Sequence, residues 1–236
     1  MLLSVILPCY NEAAAIASFE TDLFPALDAL AVPYEVIAVD DGSEDDTGVI
    51  LRNLAGQRHA FKAAAHEYNR GLGAALRTGF ATASGDWIVT LDADLTFHPD
   101  QIRSLLERRD ATGADLVAGS PFLTPAGTAQ VSRLRRLPSL AVNALYRRIC
   151  GPQLSAYTPI FRLYRTEVLR TMRLRSSGFE INAEIAADFL AAGRTVAEVP
   201  AVLTARRHGS SKLSPWPETW RHARLALRLL REAKPA

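Results

Sequence analysis

Asp86-Trp87-Ile88-Val89-Thr90-Leu91-Asp92-Ala93-Asp94 is an apolar run closed by two carboxylates two residues apart. The run has the length and composition of a buried strand. Like charges repel, so two acids at a strand's end call for a neutralising partner. A hard divalent cation suits them, because Mg²⁺ commonly takes one or two protein carboxylates plus substrate phosphates. A second acidic group, Asp40-Asp41-Gly42-Ser43, closes an earlier apolar run, Tyr34-Glu35-Val36-Ile37-Ala38-Val39. Two acidic strand ends point to a sheet whose carboxyl edge holds a metal and a phosphorylated ligand, where open α/β sheets usually bind.

Working outward, strands are predicted at 2–8, 34–40, 60–66, 86–92 and 115–120. Helical stretches fall between them, near 12–30, 46–55, 72–84 and 99–111. This alternation implies an α/β fold, a mostly parallel sheet flanked by helices on both faces. The pattern breaks after about residue 121. A loop-like Pro121–Gln130 precedes an Arg-rich helix at 132–149, a short strand at 160–164, a helix near 180–192 and a strand at 195–203. The reading is one body over 1–215, in two halves, 1–120 with the regular alternation and 121–215 without it; the resemblance given below implies that the first half binds the ligand and that the second carries a small antiparallel addition.

The 236 residues carry 48% hydrophobic and 22% charged side chains, an ordinary globular balance. Cys9 and Cys150 are the only cysteines, too few for a disulfide framework or a zinc set. The opening Met1–Pro8 is apolar but lacks a basic flank, and is read as a first strand rather than a signal peptide. No apolar run approaches the roughly 18 residues of a membrane span. The expected setting is cytoplasmic, or peripheral at the cytoplasmic face of a membrane. The net charge of +2 conceals an asymmetry: residues 1–115 hold 18 acids and 8 bases, residues 116–236 hold 7 acids and 19 bases. A basic half beside an acidic one is either a solvated face or a site for a polyanion. Aromatic interleaving among the basic residues is sparse, so nucleic acid is not expected as a partner.

From Trp216 to Arg231, helical spacing places Arg221, Arg224, Arg228 and Arg231 in one stripe, with Trp220, Leu225, Leu227, Leu229 and Leu230 elsewhere. The segment 216–236 is read as an amphipathic helix. It either packs on the body with its arginines outward or lies at a membrane interface with arginines at anionic head groups.

Pro8-Cys9-Tyr10-Asn11-Glu12 follows the first strand. Tyr10 can stack on a base and Glu12 can accept from a base edge or sugar; equally, Asn11 can serve as an N-cap. Asn69-Arg70-Gly71-Leu72-Gly73 resembles a dinucleotide fingerprint but follows the third strand rather than the first. Its glycines permit close approach of a ligand to the backbone.

In this order, Pro8-x-Tyr10-Asn11-Glu12, Asp40-Asp41-Gly42-Ser43-x-Asp45-x-Thr47, Asn69-x-Gly71-x-Gly73 and Asp92-x-Asp94 resemble the family 2 glycosyltransferases, which have the GT-A fold. Downstream, Glu198-Val199-Pro200 and Arg206-x-x-Gly209-x-Ser211-Lys212-Leu213 are similar to the polyprenyl-phosphate hexose synthases, typified by dolichol-phosphate mannose synthase. The resemblance implies inverting transfer of a hexose, mannose or glucose, from a GDP- or UDP-sugar to a polyprenyl phosphate. It implies Pro8, Tyr10, Glu12, Val39, Asp41 and Ala93 at the nucleotide, and Asp92 and Asp94 carrying Mg²⁺ or Mn²⁺. It further implies Arg135, Ser139, Arg206 and Lys212 at the phosphates, Arg206 serving catalysis. Attachment would come from a membrane surface or a membrane-embedded partner. The chain departs from the synthases at Thr96, where they usually carry Gln, at Pro121, where they carry Arg, and at Thr158-Pro159-Ile160. A hydroxyl acceptor, or a nucleotide-sugar-binding protein of little activity, are the alternatives. A hydroxyl acceptor would need a base, with Glu180, Glu184 and Asp188 as candidates.

Overall fold

The computed structural model describes residues 1–131, 133–205 and 215–232, excepting the side chains of 133–135 and 215–217. Seven strands form one sheet: β1 (Leu3–Cys9), β2 (Tyr34–Asp40), β3 (Phe61–Ala65), β4 (Trp87–Thr90), β5 (Leu116–Ser120), β6 (Arg162–Arg165) and β7 (Val196–Pro200). Their order is β3-β2-β1-β4-β6-β5-β7. All neighbours are parallel except β6, which runs antiparallel between β4 and β5. From β1 the chain winds outward to β2 and β3, then returns to β1's other side as β4. The carboxyl ends of β1 and β4 therefore flank a topological switch point, where such sheets open a crevice.

The central strands are apolar on both faces because helices cover both. Along β1, Leu3, Val5 and Leu7 enter one core and Ile6 the other. The first core packs under α1 (Ala13–Ile16), α2 (Leu23–Asp28), α3 (Thr47–Gln57) and α5 (Ile102–Thr112). The second packs under α4 (Leu72–Thr82), α6 (Arg133–Cys150), α7 (Thr166–Arg170), α8 (Ile181–Ala191) and α9 (Pro215–Glu232). The stretch expected as one helix over 12–30 is broken. A 3₁₀ turn, Ala17–Phe19, separates α1 from α2. Pro25 sits in the first turn of α2, where its missing N–H costs nothing but where no preceding helix can run through it.

One buried polar knot ties the edge opposite the site. Glu35 accepts from Ser4 Oγ at 2.6 Å, Ser84 N at 2.6 Å and Lys62 Nζ at 2.5 Å. It joins β1, β2, β3 and the α4–β4 loop. Burial would raise the Glu35 pKa, but the bonds from Lys62, Ser4 and Ser84 outweigh it and hold the value down at about 2.

Candidate active site

Three strand ends build a cavity of about 480 Å³. Pro8, Cys9 and Tyr10 come from the end of β1, Asp41 from just past β2, and Asp92, Ala93, Asp94 and Thr96 from just past β4. Arg70 to Leu72 at the start of α4, Gly178 and Phe179 before α8, and Glu218 and Arg221 of α9 close the other walls.

The β4 end is shaped by a tight turn. Leu95 N donates to Asp92 O at 3.0 Å, and Leu95 sits at φ 51°, a left-handed conformation unusual for leucine. Such strain persists only where the surroundings fix it. Here Ala93, Leu95 and Phe97 are buried in the core, which turns the half-buried Asp92, Asp94 and Thr96 toward the cavity. Thr96 N donates to Asp94 Oδ1 at 3.0 Å and orients that carboxylate. Two carboxylates and a threonine hydroxyl on one wall are hard oxygen donors, the kind Mg²⁺ and Mn²⁺ take, with ligand phosphate completing the shell.

The Asp40–Thr47 motif does different work. Asp40 Oδ1 accepts from Ser43 N at 3.0 Å. Ser43 Oγ accepts from Asn11 N at 2.9 Å, Asn11 Oδ1 accepts from Glu44 N at 2.7 Å, and Thr47 Oγ1 accepts from Glu12 N at 2.8 Å. The motif thus clamps the loop after β1 and holds Asn11 at φ 52°; Asn11 pins a neighbouring loop and does not cap α1. Asp41 lines the cavity, but its carboxylate accepts from His66 Nδ1 at 2.6 Å, Arg70 N at 3.0 Å and Gly71 N at 2.8 Å. It anchors the glycine loop at the cavity wall.

The glycines bring protein backbone close to the start of α4. Gly73 N donates to Ser177 O at 2.8 Å, and a Cβ on Gly73 would lie 2.1 Å from Ser176 O. Gly71, at φ 88°, would meet Ser177 O at 2.4 Å. The dinucleotide-like spacing is therefore a docking groove for the segment before α8.

Of the expected nucleotide contacts, Pro8, Tyr10, Glu12, Asp41 and Ala93 line the cavity. Val39 does not: it is fully buried in the second core, inside β2 and two residues short of Asp41, where the helices over that core cover it. Ser139 lies on α6, its carbonyl and hydroxyl accepting from Asn143 Nδ2, and is not a cavity residue. The Arg135 side chain, Arg206 and Lys212 lie outside the described residues.

The three acids weighed as bases separate clearly. Glu184 is fully buried and accepts from Arg175 N at 2.9 Å, Ser176 N at 2.8 Å and Arg228 Nη2 at 2.6 Å. Burial raises its pKa, but these bonds prevail and hold it below the ordinary carboxylate value. Asp188 is away from the cavity; burial, then the charge of Glu184, lifts its pKa to about 6. Glu180 is buried behind Gly178, one oxygen accepting from Ser177 N at 3.1 Å and Gly178 N at 3.2 Å. None of the three lines the cavity.

The tail packs on the body, one of the two arrangements expected, but not all of its arginines point outward. α9 packs Leu225 and Leu229 into the second core, and His222 Nδ1 lies 2.9 Å from Tyr146 Oη of α6. Arg228 pairs with Glu184, while Arg221 pairs with Glu218 and reaches the cavity. Half of the arginine stripe therefore faces the body, and Trp220, Leu227 and Leu230 face outward. Sequence reading missed Glu218 and Arg221 as cavity residues. Their i,i+3 spacing was the available signal for a pair that fixes one face of the helix.

A mostly parallel sheet with one reversed strand, and an acid-lined cavity at its switch point, define a GT-A fold. The family model for glycosyl transferase family 2 matches residues 4–173, and the chain belongs to this family. It is 35% identical over 214 residues to the undecaprenyl-phosphate 4-deoxy-4-formamido-L-arabinose transferase of Edwardsiella ictaluri (strain 93-146), covering 89% of this chain and 62% of that protein. The transferase of the same name from Pseudomonas fluorescens (strain Pf0-1) is 34% identical over 216 residues, 90% of this chain and 60% of that protein. The chain thus spans about three fifths of the length of these relatives. Among solved structures, glucosyl-3-phosphoglycerate synthase from Mycobacterium tuberculosis with Mn²⁺, UDP and glucosyl-3-phosphoglycerate superposes at TM-score 0.65 and 23% identity, over 98% of this chain and 79% of that one. S. aureus TarS 1-349 with UDP-GlcNAc gives TM-score 0.65 at 18% identity, over 100% and 68%.

Proposed function

We propose that this protein transfers a sugar from a nucleoside diphosphate donor to a polyprenyl phosphate, with Mg²⁺ or Mn²⁺ held by Asp92 and Asp94. The observation that carries the reading is the joint placement of those two carboxylates, Arg70 and Arg221 around one cavity at the sheet's switch point. The names of the relatives support a polyprenyl-phosphate acceptor, and the UDP and Mn²⁺ in similar structures support the donor and cation. A hexose is the expected sugar; the arabinose derivative in the relatives' names adds a pentose class to the donors worth testing.

In this reading Pro8, Tyr10 and Glu12 receive base and ribose, and Ala93 leaves room beside them. Asp41 acts one step back, by fixing the loop that presents Arg70. Arg70 and Arg221 face the diphosphate, whose charge grows as the bond to the sugar breaks. The bound cation supplies Lewis-acid stabilisation of that leaving group. A lipid phosphate oxygen is already ionised at neutral pH, so attack needs no strong base, which suits a cavity that Glu180, Glu184 and Asp188 do not line. Arg135, Ser139, Arg206 and Lys212 are assigned to the acceptor side by resemblance.

The test is calorimetric binding of UDP and GDP, with and without Mn²⁺, to wild type, Asp92→Asn and Asp94→Asn. Nucleotide binding should require the cation and fall about tenfold or more in each variant, since a charge-assisted contact is worth roughly 1.5–3 kcal/mol. Cation-independent binding, or variants that bind like wild type, would remove Asp92 and Asp94 from the metal site.

A further inference from the structure

His66 does not line the cavity, yet both nitrogens of its ring are engaged. It stands just past β3, and its side chain and that of Asp41 are each only 5% exposed. Nδ1 lies 2.6 Å from Asp41 Oδ1, and Nε2 lies 2.9 Å from Oγ1 of Thr78, in the middle of α4. A carboxylate can only accept, so the ring proton sits on Nδ1, and Nε2 accepts from the Thr78 hydroxyl. The imidazole therefore has one orientation and one tautomer. Its backbone is held as well, His66 N donating to Asp40 O at 2.8 Å.

These contacts close a ring. From His66 they pass to Asp41, whose oxygens also accept from Arg70 N at 3.0 Å and Gly71 N at 2.8 Å. Gly71 leads into α4, and about two turns along that helix Thr78 returns to His66. Arg70 and Gly71 line the cavity, whereas His66 and Thr78 do not. A buried carboxylate that loses a donor turns, or draws in water, to replace it. Here either movement would loosen the bonds to Arg70 N and Gly71 N.

We infer that His66 is a positioning residue: through Asp41 it fixes the Arg70–Gly71 loop, and with it the guanidinium on the cavity wall. A diphosphate as the group that Arg70 meets rests on the proposed function; the fixing of the loop does not. A histidine that only filled the space between β3 and α4 would depend equally on its two nitrogens.

Asparagine and glutamine separate those nitrogens. The Asn amide reaches the position of Nδ1 and still donates to Asp41, while the Gln amide reaches that of Nε2 and meets Thr78 instead. The first measurement, amide hydrogen exchange of Arg70 and Gly71 by NMR, needs no ligand. Exchange at both should speed up about tenfold in His66→Gln and stay within about threefold of wild type in His66→Asn, since only the first loses a bond to a charged group. The second is calorimetric binding of UDP with Mn²⁺. Affinity should fall about tenfold in His66→Gln, hold within about threefold in His66→Asn, and fall no further when His66→Gln is added to Arg70→Ala, because residues that act through one another are not additive. Thr78→Val, outside the cavity and of the same shape, opens the ring from its other side and decides the question should His66→Gln not fold. Exchange at Arg70 and Gly71 should rise in Thr78→Val and return in Thr78→Ser. Unchanged exchange in His66→Gln or Thr78→Val, equal effects of Asn and Gln, or a His66→Gln loss undiminished beside Arg70→Ala would each overturn the inference. Exchange that responds as expected in a protein that binds no nucleotide would sink the proposed function and leave the positioning role standing.

Discussion

Replacing Arg228 by Gln tests whether the tail helix is built into the body. Its Nη2 donates to Glu184 Oε1 at 2.6 Å, and the Glu184 side chain is only 1% exposed. Stripping the partner from a buried charge typically costs about 3–5 kcal/mol. Glu184 keeps backbone bonds from Arg175 and Ser176, and the Arg228 side chain is 25% exposed. A loss of about 2–3 kcal/mol is the reasonable figure, worth roughly 5–10 °C in Tm for a chain of this size. Glu184 has a depressed pKa in the folded state, so its bonds stabilise above the ordinary carboxylate value and lose that effect as pH falls. The deficit of Arg228→Gln should therefore be full at pH 7 and shrink toward pH 3. Arg224→Gln and Arg231→Gln, on exposed positions, should each stay within about 0.5 kcal/mol of wild type. Urea unfolding followed by circular dichroism at both pH values measures this. If Arg228→Gln matched wild type at pH 7, or the two exposed variants lost as much, the inward orientation of the stripe would be wrong.

Asp188→Asn should stabilise the protein at pH 8. A carboxyl that titrates at about 6 when folded favours its protonated form, so it opposes folding once deprotonated, by at most roughly 3 kcal/mol. The gain should vanish near pH 4, and a Tm that rises equally at both pH values would contradict the assignment. Glu35→Gln should cost roughly 2 kcal/mol at neutral pH and progressively less below pH 4.5, because the stability from the depressed Glu35 pKa is full above the unfolded value and is lost as pH falls toward about 2. A constant deficit from pH 7 to pH 2.5 would refute it. Gly73→Ala should destabilise and loosen nucleotide binding together, since its methyl would push the Ser176–Ser177 backbone away from α4; unchanged Tm and affinity would show that the groove has slack.

The strand ends were legible because their chemistry is local. An apolar run closed by Asp92-x-Asp94 needs no distant partner to be recognised, and both acids line the cavity. What could not be read depended on contacts across the chain. Asp41 lines the cavity as expected, but its anchoring of the Arg70–Gly71 loop, with His66 beside it, shows only in contacts made across the chain. Gly71 and Gly73 were expected to let a ligand approach the backbone, but the neighbour they accommodate, Ser176–Ser177, lies about a hundred residues away. The tail's spacing defined its stripe correctly, while the buried carboxylate of Glu184 decided which way the stripe turned.

The most direct measurement is nucleoside diphosphate release from a panel of UDP- and GDP-sugars, including an arabinose-derived donor, with Mn²⁺ and a short polyprenyl phosphate. The expected result is release that needs the cation and the lipid phosphate together, yields a sugar–phosphate-linked lipid, and disappears in Asp94→Asn. Release that proceeds equally with EDTA, or that occurs only with hydroxyl acceptors and leaves the lipid phosphate unchanged, would contradict it.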